Sequence, residues 1–162
     1  DIYEANSPGA TGGVRNYIAH NQLISQKPEI NQLSEIEQDI AFRKEALKWI
    51  SKHPTEFIRL ALVKFARFWN IVPNFSVYRS AKYALTSIFS FGIVLLLALW
   101  ELLRLRHHWP KWIILLTPIL YFTIVHMVFI GSIRFRIPIE PYLIILAANN
   151  ISYNSIRLKR EP

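Results

Sequence analysis

The sequence predicts an all-α, polytopic membrane protein fragment, with about three transmembrane helices preceded by extracytoplasmic amphipathic helices. Three observations carry that prediction. The 162 residues are 52% hydrophobic and only 19% charged, with a mean hydropathy of +0.21, which is too apolar for a disordered chain or an ordinary nucleic-acid-binding domain. Two uncharged runs, 83–100 and 112–133, approach the length that a bilayer requires. The net charge of +8 is unevenly divided: residues 1–81 hold 10 Lys/Arg against 8 Asp/Glu, and residues 82–162 hold 9 against 3. The excess falls in clusters between apolar runs, as in membrane proteins, and not in a stripe that could track nucleic-acid phosphates, so no nucleic-acid partner is expected. A buried helix bundle in a soluble protein is the bland alternative, and the run lengths argue against it.

Three regions follow along the chain: an irregular extracytoplasmic segment over 1–33, amphipathic helices at the membrane exterior over 34–81, and a transmembrane helical region over 82–162. Residues 6–33 are rich in Asn, Ser, Gly and Gln, with Ser7-Pro8-Gly9 and Gly12-Gly13 as turn signals. No Gly-Lys-Ser/Thr follows Gly12-Gly13, so this is a plain loop and not a phosphate loop. Ser34-x-x-Glu37 is a capping-box pattern that starts a helix running to about Lys52, and Pro54 stops it. The next helix, Thr55 to about Asn70, places Arg59, Lys64 and Arg67 within an arc of about 140° opposite a broad apolar face. It lies in the membrane interface with its basic face toward lipid phosphates, or its apolar face packs on the rest of the protein, and the two do not exclude each other.

The run 83–100 gives 18 uncharged residues, extending to Leu103 if Glu101 sits at the interface; the run 112–133 gives 22, with Pro118 tolerated as a kink. A third segment, Ile137 to about Ile156, contains Glu140, Asn149 and Asn150 and is a marginal span that needs protein partners. The basic connection 104–111 and the basic tail 157–160 place both on the cytoplasmic side. Residues 1 to about 80 and the Arg134–Arg136 turn then lie outside, and the implied location is a bacterial cytoplasmic (inner) membrane.

No cysteine is present, which removes disulfides, thiolate metal sites and Cys nucleophiles together. The chain starts at Asp1 with neither an initiator Met nor a signal-like stretch and reads as the back part of a longer protein. His107 and His108 are adjacent, which is the wrong spacing for a two-ligand helical face, and no metal site is expected. No nucleophile elbow, metalloprotease helix or paired-acid motif is visible. The pattern that resists a structural explanation is His126 followed by Arg134-Phe135-Arg136-Ile137-Pro138-Ile139-Glu140-Pro141-Tyr142. Two arginines sit on the less basic side, where topology needs no charge, and a guanidinium fork suits phosphate. The alternative is that they anchor a helix end in headgroups and that one pairs with Glu140.

The run EALKWISKHPTEFIRLALVKFARFWN, a hydrophobic span, a basic hairpin, and then RFRIPIEPYLIILAA resembles the C-terminal region of bacterial integral-membrane C-type glycosyltransferases of the protein-mannosyltransferase and aminoarabinose-transferase-like superfamily. The resemblance covers about residues 35–160. It implies transfer of a sugar from a polyprenyl-phosphate-linked donor at the extracytoplasmic face, with a catalytic Asp in an early external loop that has no counterpart here. The partners implied are membrane lipid, that donor and an N-terminal membrane region of the same protein; no catalytic residue is assigned within this chain, and no cofactor is indicated. Arg134 and Arg136, with Lys64 and Arg67, are the expected contacts to the donor lipid phosphate, supported by His126, Glu140 and Tyr142. The alternative reading is a non-enzymatic membrane module, a transporter portion or assembly subunit, whose arginines anchor lipid headgroups.

Overall fold

The computed structural model describes residues 2–13, 17–72, 80–105 and 109–158, and among them every regular element is helical. The chain divides into two compact units: residues 1–68 with 123–132, and residues 69–122 with 133–162.

In the first unit, α1 (Ile2–Ala5) and α2 (Tyr17–Gln26) pack on α3 (Glu35–Lys52) around Tyr3, Ala19, Leu23, Ile30, Phe42 and Ala46. The segment 6–33, expected to be irregular, therefore contains α2 and the 3₁₀ turn Pro28–Gln32. Its polar composition hid a single buried stripe, Ala19 and Leu23, which is enough to seat one short helix. The capping box at Ser34 forms: its backbone N–H and its hydroxyl both donate to the Glu37 carboxylate, at 3.0 and 2.7 Å. The α3 helix ends where Pro54, which lacks an N–H, opens α4 (Pro54–Trp69).

The α4 helix turns Leu60, Lys64 and Phe68 inward, at i, i+4 and i+8, and leaves Ile58, Leu62 and Phe65 exposed. Across its inner face run two irregular stretches. Gly131 donates its N–H to the Gly12 carbonyl at 3.0 Å, and Gly12 sits at φ +79°, where a side chain is strained. A Cβ on Gly131 would lie 2.5 Å from the Lys64 carbonyl oxygen and 2.7 Å from its Cα, so only glycine allows the two backbones to approach this closely.

In the second unit, α5 (Ala81–Ser87), a π-helical turn (Ile88–Gly92) and α6 (Ile93–Leu105) form one continuous helix. Its stretch Ala81–Arg104, 24 residues, has the length and apolarity of a membrane span, and only 22% of its most apolar window is buried within the protein. The hydroxyls of Thr86 and Ser90 donate to the carbonyls of Lys82 and Thr86, at 2.9 and 2.7 Å, a back-bonding that favours local distortion of the ladder. The second uncharged run does not form one helix. It comprises a 3₁₀ turn (Trp109–Trp112), α7 (Ile113–Val128) and a non-helical stretch at 129–132. The α7 helix keeps Pro118 in its interior, and its 16 residues extend about 24 Å, short of a hydrocarbon core of about 30 Å.

A second 3₁₀ segment, Ile133–Ile139, leads into α8 (Glu140–Leu158), which presents Leu143, Leu146, Ala147 and Asn150 as a buried stripe. At that stripe α8 meets α6, whose Ala98 and Glu101 are fully buried. The Glu101 carboxylate accepts hydrogen bonds from Asn149 and Asn150, the latter at 3.3 Å, and from Arg104 at 2.5 Å. Arg136, just before α8, lies over Phe91 of the π turn. Contacts therefore advance from Phe91 to Glu101 on one helix as they advance from Arg136 to Asn150 on the other, and the two helices run parallel. Three spans were expected; among the described residues Ala81–Arg104 is the one helix long and apolar enough to be a span, and the third segment is a helix packed on it through Glu101.

Replacing Glu101 by Leu removes the acceptor of the buried Asn150 and half-buried Asn149 amides and of Arg104 and should lower stability by about 3 kcal/mol, whereas Gln, which keeps one acceptor oxygen, should cost less than half of that. Thermal midpoints in detergent check this, and a Leu variant as stable as the wild type would refute the clamp. Gly131→Ala should cost about 1–3 kcal/mol by forcing the 129–132 stretch off α4, read by the same midpoint.

Candidate functional site: a buried arginine at a cavity

Arg136 and Arg134 do not act as a pair. The intervening chain is 3₁₀, with about three residues per turn, so residues two apart diverge by about 120° while residues three apart align. Arg136 and Ile139 are accordingly buried, and Arg134 is exposed. A sequence written as an arginine pair gives no hint of this, because the divergence depends on the local helical type.

Arg136 is 6% exposed and held on three sides. Its guanidinium lies 3.3 Å above the Phe91 ring centroid, its Nη1 donates to the Asn70 carbonyl at 2.8 Å, and its Nε donates to Glu140 Oε1 at 3.3 Å. Burial pulls its pKa below the ordinary arginine value and the bond to Glu140 opposes that pull, but a guanidinium remains a cation. It borders a cavity of about 280 Å³ whose polar lining comes from Ser87, Ser90, Arg136 and Glu140, the remainder being aliphatic apart from Phe91. A rigid cation with directed N–H groups, in an apolar wall beside the Ser87 hydroxyl, is suited to a phosphate oxygen, while the Ser90 hydroxyl already donates to the Thr86 carbonyl. Phe91, Asn70, Ser87 and Ser90 were not anticipated. Phe91 and the serines lie in what reads as an uninterrupted span, and only the π turn at Ile88–Gly92 marks the position as special.

The other expected contacts are placed differently. Lys64 and Arg67 belong to the first unit, and Lys64 has no exposed surface at all. Its ammonium donates to Asn6 Oδ1 at 2.7 Å and to the Val128 carbonyl at 3.0 Å, and Asn6 Nδ2 donates to that same carbonyl at 2.9 Å. Lys64 is a structural pin with no surface to offer a lipid, which corrects its place on the expected basic outer face of α4: the exposed face carries Ile58, Leu62 and Phe65 together with Arg59, which pairs with Glu56 at 2.8 Å. Arg67 is half-buried beside Gly13, where an added Cβ would overlap its guanidinium. His126 donates from Nδ1 to the Ile130 carbonyl at 3.1 Å, which closes the end of its own helix, and stacks on Phe68 of α4 at 5.4 Å. Tyr142 is half-buried on α8 and lies outside the lining of the Arg136 cavity. A hollow of about 540 Å³ in the first unit is lined by Glu35 and Asp39, and its charge disfavours an anion. Among the described residues no group of three His, Cys, Asp or Glu is placed to hold a metal ion.

No protein-family model matches the sequence, and no curated protein or solved structure is significantly similar to it.

Burial lowers the Lys64 pKa from 10.5 to about 8. Between those values the unfolded chain holds a proton that the folded chain has lost, so stability should rise as pH is raised from about 8 toward 10.5. Below about 8 the folded chain bears the full cost of the buried charge, on the order of 3 kcal/mol. Unfolding midpoints measured across pH 7–10.5 should show this rise in the wild type, and Lys64→Met should flatten it; an identical slope in both would contradict the assignment.

Proposed function

We propose that this chain is the C-terminal part of a membrane glycosyltransferase that takes a sugar from a polyprenyl-phosphate-linked donor at the outer face of a bacterial cytoplasmic membrane. The observation that carries the reading is the buried Arg136 guanidinium bordering a cavity beside Ser87 and Ser90, in the first half of a helix of membrane-spanning length. In that reaction the bond between the sugar's anomeric carbon and the donor phosphate oxygen breaks. A bond to an acceptor hydroxyl forms, the hydroxyl proton passes to a base elsewhere in the protein, and the lipid leaves as a phosphomonoester. Arg136 stabilises the charge that develops on the departing phosphate, from a position already fixed by Phe91 and Asn70.

The parallel course of α6 and α8 supports a multi-pass arrangement. Two parallel neighbouring helices of one chain require the intervening residues to return once to the starting side, and α7 is the helix in that interval. The reading therefore keeps three crossings, with residues 1 to about 80 outside and the C-terminus in the cytoplasm. Its aliphatic lining would let the cavity accommodate a prenyl chain next to the phosphate. Arg134, exposed at the turn, fits the headgroup-anchoring role of the alternative, non-enzymatic reading, so the two arginines separate the two functions.

In the full-length protein supplied with a polyprenyl-phosphate sugar, Arg136→Gln should lower turnover by about 10²-fold or more. Arg136→Lys should not restore it, because an ammonium lacks the planar fork, and Arg134→Gln should cost less than about tenfold. A folded Arg136→Gln protein with wild-type turnover would remove Arg136 from the donor site, and a wild type with no turnover of the polyprenyl-phosphate sugar would reject the enzyme reading in favour of lipid anchoring.

A further inference from the structure

Glu140 is the part of the Arg136 cavity that anion binding alone does not explain. Its carboxylate lines the same cavity, lies 3.3 Å from Arg136 Nε and keeps 39% of its side chain exposed. The separation is at the long end for a hydrogen bond, and the firmer donor of Arg136 goes to the Asn70 carbonyl at 2.8 Å. Arg136 therefore does not need Glu140 to stay in place, and a carboxylate beside an anion site weakens it.

Resting on the donor-phosphate reading above, we propose that Glu140 makes this cavity selective for a singly charged phosphodiester over a doubly charged phosphomonoester. The argument is electrostatic. With Arg136 and Glu140 both ionised the cavity wall is close to neutral, so a second ligand charge gains little net attraction from it. The cost of taking an ion out of water grows with the square of its charge, so the doubly charged ligand loses far more hydration on entry. A phosphomonoester, with a second pKa near 6, carries close to two charges above pH 7, whereas a diester carries one. A sugar donor is a diester and the lipid left after transfer is a monoester, so the neutral pair holds the donor and expels the product. This is selectivity by a repulsive element, obtained at some cost in absolute affinity.

Titration calorimetry of the full-length protein in detergent at pH 7.5, with a short-chain prenyl phosphate and with its methyl ester, tests the proposal on two probes that differ by one charge. The wild type should bind the methyl ester at least as tightly as the monoester. Glu140→Gln keeps the size and the acceptor oxygen; it should raise monoester affinity about tenfold, or about 1.4 kcal/mol, and methyl-ester affinity by no more than about threefold. Glu140→Asp, which keeps the charge, should retain the wild-type order, and Arg136→Gln should weaken both probes. Equal shifts of both probes in Glu140→Gln, or a wild-type preference for the monoester, would overturn the selectivity while leaving the phosphate site standing. No binding of either probe by the wild type, or no effect of Arg136→Gln on either, would overturn the site itself.

Discussion

A carboxylate with no access to solvent must be answered by the protein, and Glu101 is answered by three side chains at once: Arg104 one turn away on its own helix, and Asn149 and Asn150 from α8. An unmatched charge in such a place would cost several kcal/mol, so the pairing admits little choice of register between α6 and α8. Once that register is set, the chain entering α8 is set as well. About 15 Å back along the parallel pair, Arg136 is carried over the Phe91 ring and against the Asn70 carbonyl. The candidate site is thus positioned by a polar contact remote from it.

The first unit obeys the same constraint with the opposite charge. Lys64 is wholly buried, and its ammonium is satisfied by Asn6 and by the Val128 carbonyl, which Asn6 also binds. Around this pin the backbones of Gly131 and Lys64 come so close that no side chain fits between them. The exposed faces of α3 and α4 meanwhile mix aliphatic residues such as Ile36, Ile40, Ile58 and Leu62 with charged ones such as Asp39, Arg43, Lys44 and Arg59. In both units, then, a buried ion and its polar partners fix how the surrounding elements meet.

The local elements were legible wherever a short-range signal existed. Ser34 and Glu37 announce the start of α3, Pro54 marks the junction with α4, and the run 83–100 announces the long helix, because capping, a missing N–H and sustained apolarity act within a few residues. What escaped was set by distant contacts. The α2 helix is seated by Phe42 and Ala46 on α3, the run 112–133 ends as a helix at Val128 where its continuation is drawn across α4, and Lys64 points inward because Asn6 and Val128 wait there. In the site, Arg136 and Glu140 were visible as an unexplained cluster, but Phe91, Asn70, Ser87 and Ser90 were not, since nothing in an apolar run distinguishes the residues of a π turn.

The sequence by itself determined that the chain is helical and that Arg134 to Tyr142 concentrates charge where no charge was required; it offered about three spans, of which the structure keeps one helix of sufficient length and apolarity among the described residues. Composition and periodicity act locally, so they carry that much. Which arginine turns inward, and whether a buried ion meets a partner, was decided only by tertiary structure. Two residues of the same type at spacing two are indistinguishable in sequence, and it is the 3₁₀ geometry of Ile133–Ile139, with Phe91 and Asn70 to receive it, that buries Arg136 and leaves Arg134 outside.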